Sequence, residues 1–206
     1  MRVNRCVHCT AFPCADVDHD RYTVPSRAFQ QADIGIVLIS EVAAPVASDG
    51  YYTRPPGLFA QTTVQAFRDA GADVYTMDDI VGLGVYLTTA VKCAKTSSAV
   101  ATATIEACSH LLERELALFP NARAYLLMGD VAIRSLNAVA RRLGDRPPVP
   151  RGSTYKIRND SYYFQGKRVF PSYLQAGPSF LIERSKRAMI AEDISAALAL
   201  VRDHRH

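Results

Sequence analysis

The sequence predicts an α/β fold with a central, mostly parallel sheet, and three observations lead there. A short apolar run at 34–39 with polar borders reads as a buried strand, and two further runs of strand-forming residues lie at 85–91 and 124–128. Each run is followed by a segment whose apolar residues recur with helical spacing. Such alternation is what parallel strands require, because their ends must be joined by crossovers. With 206 residues, 49% of them hydrophobic, the chain is sized for one domain over 1–206 with a substantial core.

The first run, Ile34-Gly-Ile-Val-Leu-Ile39, lies between Asp33 and Ser40-Glu41 and reads as a buried strand ending in a functional loop. Residues 48–57 hold Gly50, Pro55, Pro56 and Gly57 beside Tyr51 and Tyr52, an irregular and exposed stretch by composition. Helical spacing follows over 58–70. Beyond the strand at 85–91, a helix over 105–119 gathers Leu111, Leu112, Leu116 and Leu118 in its apolar part and turns Glu113 and Arg114 outward. The strand at 124–128 leads into a helix over 131–143 that stops at Gly144. Residues 145–152, rich in Pro and Arg, read as a loop. Residues 154–158 and 162–165 then read as paired strands around Asn159-Asp160, with another turn at 165–167 before a strand at 168–170, so a small hairpin is expected near the C-terminal third. A last helix is expected from 179 or 180 to 201. In open α/β sheets ligands bind beyond the carboxyl ends of the strands, so Glu41, Thr89, Gly129 and Gln175 are expected to approach one crevice.

Four cysteines carry the chemistry most visible in the chain. Cys6 and Cys9 can approach one metal centre together, and Cys93, behind Lys92, with Cys108, opening a helical run, would complete a thiolate cage for zinc or an iron–sulfur cluster. Cys14 is a fifth candidate. Buried unpaired thiols are the plainer reading, and disulfides rank last. The first twenty residues lack the apolar run of a secretory leader or membrane span, so a cytoplasmic protein with reduced thiols is expected. The net charge of +4 is unevenly spread: residues 130–190 hold twelve Lys/Arg against four Asp/Glu. That surplus suits a polyphosphate partner if it gathers on one face, and otherwise describes a solvated surface.

Tyr86-Leu-Thr-Thr-Ala-Val-Lys-Cys93, Tyr125-Leu-Leu-Met-Gly-Asp-Val-Ala132 and the four cysteines in their order resemble the uracil-DNA glycosylase superfamily, most closely its iron–sulfur branch, over roughly residues 6–198. The resemblance implies a three-layer α/β sandwich and a [4Fe–4S] cluster on Cys6, Cys9, Cys93 and Cys108. It implies DNA, single- or double-stranded with one base flipped out, as the partner, with no membrane and no obligate protein partner. The branch's Gly-Glu-Ala-Pro-Gly motif is here Ser40-Glu-Val-Ala-Ala-Pro45, which keeps the acid as Glu41 and loses the glycines. Arg54-Pro55 is shared, but Pro56 stands where an aromatic should follow, leaving Phe59 as the nearest residue to stack on a base. Thr89 occupies the position of the Asn that reads the uracil edge, and a hydroxyl lacks the amide's paired donor and acceptor. Pro178 and Ser179 match the family's His-Pro-Ser, while Gly177 or Gln175 replaces its histidine.

The resemblance thus implies a monofunctional DNA glycosylase that hydrolyses the N-glycosidic bond of uracil or another deaminated base in base excision repair, with altered specificity. The alternatives are a non-catalytic iron–sulfur relative that binds nucleic acid and a zinc-stapled α/β protein with a small-molecule ligand. In the glycosylase reading Glu41 orients water or stabilises charge on the sugar. Gln175 replaces the N–H donor to the departing base, and Thr89 and Phe59 form the base pocket. Residues 174–180 enter the minor groove with Leu174 or Phe180 as a wedge, and Ser179, Arg184, Lys186 and Arg187 meet DNA. Each also has a plainer role: strand propensity for Thr89, helix core for Phe59, and solvated surface for Glu41 and the cations.

Overall fold

In the computed structural model, which describes residues 1–202, the order is β1 (Val17–Asp18), β2 (Ile36–Val42), α1 (Leu58–Asp69), α2 (Met77–Gly82), β3 (Val85–Val91), β4 (Ala94–Lys95), α3 (Thr102–Leu116), β5 (Ala124–Met128), α4 (Asp130–Arg142), α5 (Thr154–Ile157), β6 (Tyr162–Phe164), β7 (Lys167–Ser172), α6 (Ser179–Ile182) and α7 (Arg184–Arg202). The main sheet runs β3-β2-β5-β7-β6, with the first four strands parallel and β6 antiparallel to β7. Every residue of β3 and β5 is buried, because helices cover both faces.

The period-2 alternation of strand side chains assigns each face its helices. Val37, Ile39, Tyr86 and Leu127 pack with Leu112 and Leu116 of α3 and Leu136 and Val139 of α4. Ile36, Leu38, Leu87 and Leu126 pack with Phe67 of α1 and Ile190, Ile194 and Leu198 of α7. This is the α/β architecture expected from the alternating runs. Among the described residues no helix is long and apolar enough to cross a membrane.

Two local expectations fail for identifiable reasons. Residues 154–157 form the short helix α5, not a strand, so the pairing around Asn159-Asp160 does not exist. Thr154 and Ile157 favour strands by propensity, but a helical turn delivers Arg158 to α7, where its Nη2 contacts Asp193 and Glu192 at 2.8 and 2.9 Å. The small hairpin expected near the C-terminal third is present, joining β6 to β7 at the turn read at 165–167, through Gln165 and Gly166, whose φ values of 49° and 76° fit a two-residue hairpin turn. The last helix is two, broken at Glu183, which is extended.

Two small features were invisible to periodicity. Thr76 and Asp79 form a reciprocal capping box that starts α2. The two-residue strands β1 and β4 pair antiparallel, Val17 with Lys95 and Asp18 with Ala94, tying the N-terminal segment to the chain just after β3.

Candidate functional site

Where β2 and β3 end, a pocket of about 280 Å³ opens between aromatic side chains, lined by Tyr22, Tyr51, Tyr52, Phe59, Ala43 and Thr89 among others. The stretch 48–57, expected to be exposed, turns inward at its tyrosines. Tyr51 donates to Ser40 Oγ at 2.6 Å and accepts from Gln175 Nε2 at 2.9 Å. Tyr52 donates to the Leu87 carbonyl at 3.1 Å and accepts the Leu87 N–H at 3.0 Å. Because β3 is an edge strand, Leu87 would otherwise present unpaired backbone groups, and one phenol satisfies both. Burial pushes both phenol pKa values up, so the rings stay neutral donors. The Tyr51 and Phe59 rings lie 5.5 Å apart. Thr88 turns toward α3, where it donates to Glu115 at 2.8 Å, so strand alternation directs Thr89 to the pocket side. Among the described residues the Thr89 hydroxyl has no hydrogen-bond partner.

The same alternation separates Ser40 from Glu41. Ser40 faces Tyr51, and Glu41 faces α4 from a second crevice of about 200 Å³ that it lines with Gly129, Leu174, Ser179 and Lys186. The Val131 N–H, in the first turn of α4, donates to Glu41 Oε1 at 3.4 Å. Gly129 makes this approach possible. Its φ is +104°, and a Cβ there would sit 2.5 Å from Glu41 Oε1. Burial raises the Glu41 pKa, opposed by the Val131 N–H and by the charge of Lys95. A carboxylate so placed is a stronger base toward water than an exposed one, and above its raised midpoint it carries the charge that can stabilise a cation.

A third cavity, about 220 Å³, is lined by Cys9, Cys14, Cys93 and Cys108 together with Phe12 and Tyr22. Cys93 follows β3 directly, and Cys108 sits inside α3 rather than at its opening. The Phe12 N–H points to Cys9 Sγ at 3.4 Å and the Lys92 N–H to Cys108 Sγ at 3.3 Å. Cys6 is exposed and off this lining. Burial, reinforced by Cys108, Cys14 and Cys9, pushes the Cys93 thiol up to about 12, and burial also raises Cys14 and Cys108, so these three stay protonated unless a cation draws them to thiolate. Among the described residues no three His, Cys, Asp or Glu side chains are spaced to hold a single metal ion. A [4Fe–4S] cluster binds each thiolate at a different iron and needs wider spacing, so an all-thiol set around one cavity fits a cluster.

One ring stands between the thiols and the aromatic pocket. Tyr22 lines both cavities, and its hydroxyl accepts the Cys9 N–H at 2.9 Å. Beside it, fully buried Lys92 ion-pairs with fully buried Glu115. Lys92 Nζ also donates to Thr88 Oγ1 at 2.8 Å and to the Thr89 carbonyl at 2.5 Å.

Residues 49–194, more than half of the chain, match the model of the Uracil DNA glycosylase superfamily. The chain belongs to this superfamily. A curated relative, the Type-5 uracil-DNA glycosylase of Thermus thermophilus, is 29% identical over 123 residues, which make up 60% of this chain. The same residues make up 53% of the relative, so the chain spans about half the length of the curated relative it matches. The superfamily match includes Thr89, Cys93, Cys108 and Gln175, while Cys6, Cys9 and Glu41 precede it.

The residues that resemblance to the superfamily singled out do not share one crevice. Thr89 and Phe59 line the aromatic pocket, whereas Glu41, Leu174, Ser179 and Lys186 line the second crevice. Gln175, expected to donate to the departing base, is fully buried off the pocket lining, with its amide nitrogen directed at Tyr51 and at Thr63 Oγ1, 3.3 Å away. Phe180, expected as a wedge, is 3% exposed and packs in the core below α6, while Leu181 and Ile182, on its outer side, are 59% and 77% exposed. Lys186 pairs with Glu183 at 2.7 Å, Arg187 pairs with Asp69, and Arg184 lines a shallow cleft beside them.

Tyr51, Tyr22 and the Lys92–Glu115 pair escaped the reading of the sequence. A signal existed for Glu115, which falls three and four positions after Leu112 and Leu111 on the apolar stripe of its helix. Nothing comparable marked Tyr22.

Proposed function

We propose that the chain is an iron–sulfur DNA glycosylase, acting as one domain, that hydrolyses the N-glycosidic bond of uracil or another deaminated base in DNA. The observation that carries this reading is the aromatic pocket at the strand ends, with a desolvated Glu41 on the adjoining strand, in a member of the glycosylase superfamily.

A base flipped from the stack enters the pocket against the contacting rings of Tyr51 and Phe59, where Thr89 offers it a free hydroxyl. A single hydroxyl can bond one polar atom of the base edge at a time, so discrimination among deaminated bases is weaker than an amide would give. Glu41 holds the attacking water or stabilises the positive charge that develops on the sugar. Gln175 acts as a positioning residue, fixing the Tyr51 phenol from below. Without a histidine at the departing oxygen, the rate is expected to fall roughly 10²–10³-fold below that of a site keeping such a donor.

The exposed Leu181 and Ile182 take the wedge role in place of Phe180, with Arg184 and Lys186 close behind for phosphates. Cys9, Cys93 and Cys108 would hold a [4Fe–4S] cluster, which would supply a cross-link between distant segments. The chain from Cys9 runs directly into residues 20–26, one wall of the base pocket, so anchoring the thiols anchors that wall.

The burial of Gln175 favours one second reading, a cluster-bearing DNA-binding relative without hydrolysis. The test is anaerobically prepared protein assayed for iron and for abasic sites on oligonucleotides carrying uracil, hypoxanthine or xanthine. Iron together with abasic sites on at least one substrate is expected. Salt-dependent binding with no cleavage of any of them would replace the enzyme by the second reading.

A further inference from the structure

We infer that Cys14, and not Cys6, supplies the fourth thiolate of the cluster, giving the ligand set Cys9, Cys14, Cys93 and Cys108. The inference rests on the cluster reading above and assigns its donors.

Two constraints turn Cys6 away. Val3 and Val7, one helical turn apart, are both buried in the core, which fixes the rotation of the 3₁₀ turn Val3–Arg5. Cys6 ends that turn, with its N–H on the Val3 carbonyl at 2.9 Å and its side chain exposed. Bringing its sulfur to the cavity would pull both valines out of the core.

Cys14 is tied to each segment that carries another ligand. Three residues on, Val17 pairs with Lys95 and Asp18 with Ala94, which follows Cys93 directly. Two residues on, Asp16 accepts the Ala101 N–H at 2.7 Å and the Thr104 hydroxyl, at the start of the helix that carries Cys108. Cys14 is therefore fixed beside both.

The turn between Cys9 and Cys14 is shaped for the same end. Phe12 has φ of +43°, an uncommon conformation for a bulky residue, and such outliers persist only where the surroundings enforce them. Its ring lies 5.1 Å from His19 and 5.2 Å from Tyr22, and its N–H points to Cys9 Sγ. This reversal turns the sulfurs of Cys9 and Cys14 toward one cavity. Ligation removes a proton from each thiol, so the four donors enter as thiolates.

The experiment compares the full chain with Cys6→Ser and Cys14→Ser, all prepared anaerobically, for iron, sulfide and absorption near 400 nm, with far-UV circular dichroism to report folding. Cys6→Ser is expected to match the parent, and Cys14→Ser to lose iron affinity by at least about tenfold, the lower end known for weaker perturbations around a metal. In parallel, alkylation of the iron-loaded parent followed by mass spectrometry is expected to label Cys6 at once, and Cys14 only after a chelator strips the cluster. That arm decides the matter if Cys14→Ser does not fold. An iron-loaded parent that labels at Cys14, or a Cys6→Ser variant without iron, would overturn the assignment while leaving the cluster standing. A parent without iron would end the cluster reading and this assignment together.

Discussion

Gly129→Ala separates the role of Glu41 from mere stability. Gly129 holds φ at +104°, and an added Cβ would lie 2.5 Å from Glu41 Oε1, about 0.9 Å inside the 3.4 Å of ordinary contact. The backbone strain alone is expected to cost about 1–3 kcal/mol. For a chain of this length that lowers the melting temperature by roughly 2–12 °C. The carboxylate must also retreat by most of an ångström, and misplacement on that scale lowers a rate roughly 10²-fold. Thermal melting and single-turnover cleavage of a uracil oligonucleotide measure the two effects separately. Glu41→Gln supplies the control: once the carboxylate is gone, adding Gly129→Ala should lower the melting temperature further and leave the residual rate unchanged. Parental cleavage by Gly129→Ala, or rate losses that multiply in the double variant, would refute the placement of Glu41 in the chemistry.

Three further outcomes follow from other parts of the molecule. Glu115→Ala strands the buried Lys92 ammonium and is expected to cost about 3–5 kcal/mol in urea unfolding, whereas Lys92→Met with Glu115→Leu should recover only part of it, because the buried Tyr86 and Thr88 hydroxyls still lose their acceptor; a mild single variant would contradict the burial of the pair. Glu41 works as a carboxylate and burial raises its pKa, so activity should fall as pH drops through a midpoint above the ordinary glutamate range. An acid limb at or below that range would place Glu41 outside the rate-determining chemistry. Leu181→Ala with Ile182→Ala, both exposed, should leave the melting temperature nearly unchanged and weaken binding to double-stranded DNA, as fluorescence anisotropy would report; unchanged affinity would remove them as the wedge.

The sheet was legible in the sequence because β5 and the first part of β2 are buried apolar runs, and β3 keeps β-branched and aromatic residues through Thr88 and Thr89. The strand at 154–158 was misread because Thr154 and Ile157 carry strand propensity, and only the distant carboxylates of α7 explain the helix that positions Arg158. Similar long-range causes hid parts of the site. Gly and Pro residues around Tyr51 and Tyr52 marked an irregular stretch correctly, but their burial depends on Ser40, Gln175 and the free edge of β3, none of them nearby in sequence. The cysteines were legible as a group, and their partition was not. Spacing favours Cys6 and Cys9 together, and the counter-evidence lies in two buried valines and in strands of two residues that leave no periodic trace.

The most direct measurement is single-turnover release of uracil from an oligonucleotide by the iron-loaded chain, set against Glu41→Gln at protein concentrations giving equal DNA occupancy. Release by the parent, with a loss of at least about 10²-fold in the variant, is the predicted result. Equal rates in the two proteins, or no release by a parent that is fully loaded with iron and bound to DNA, would contradict it.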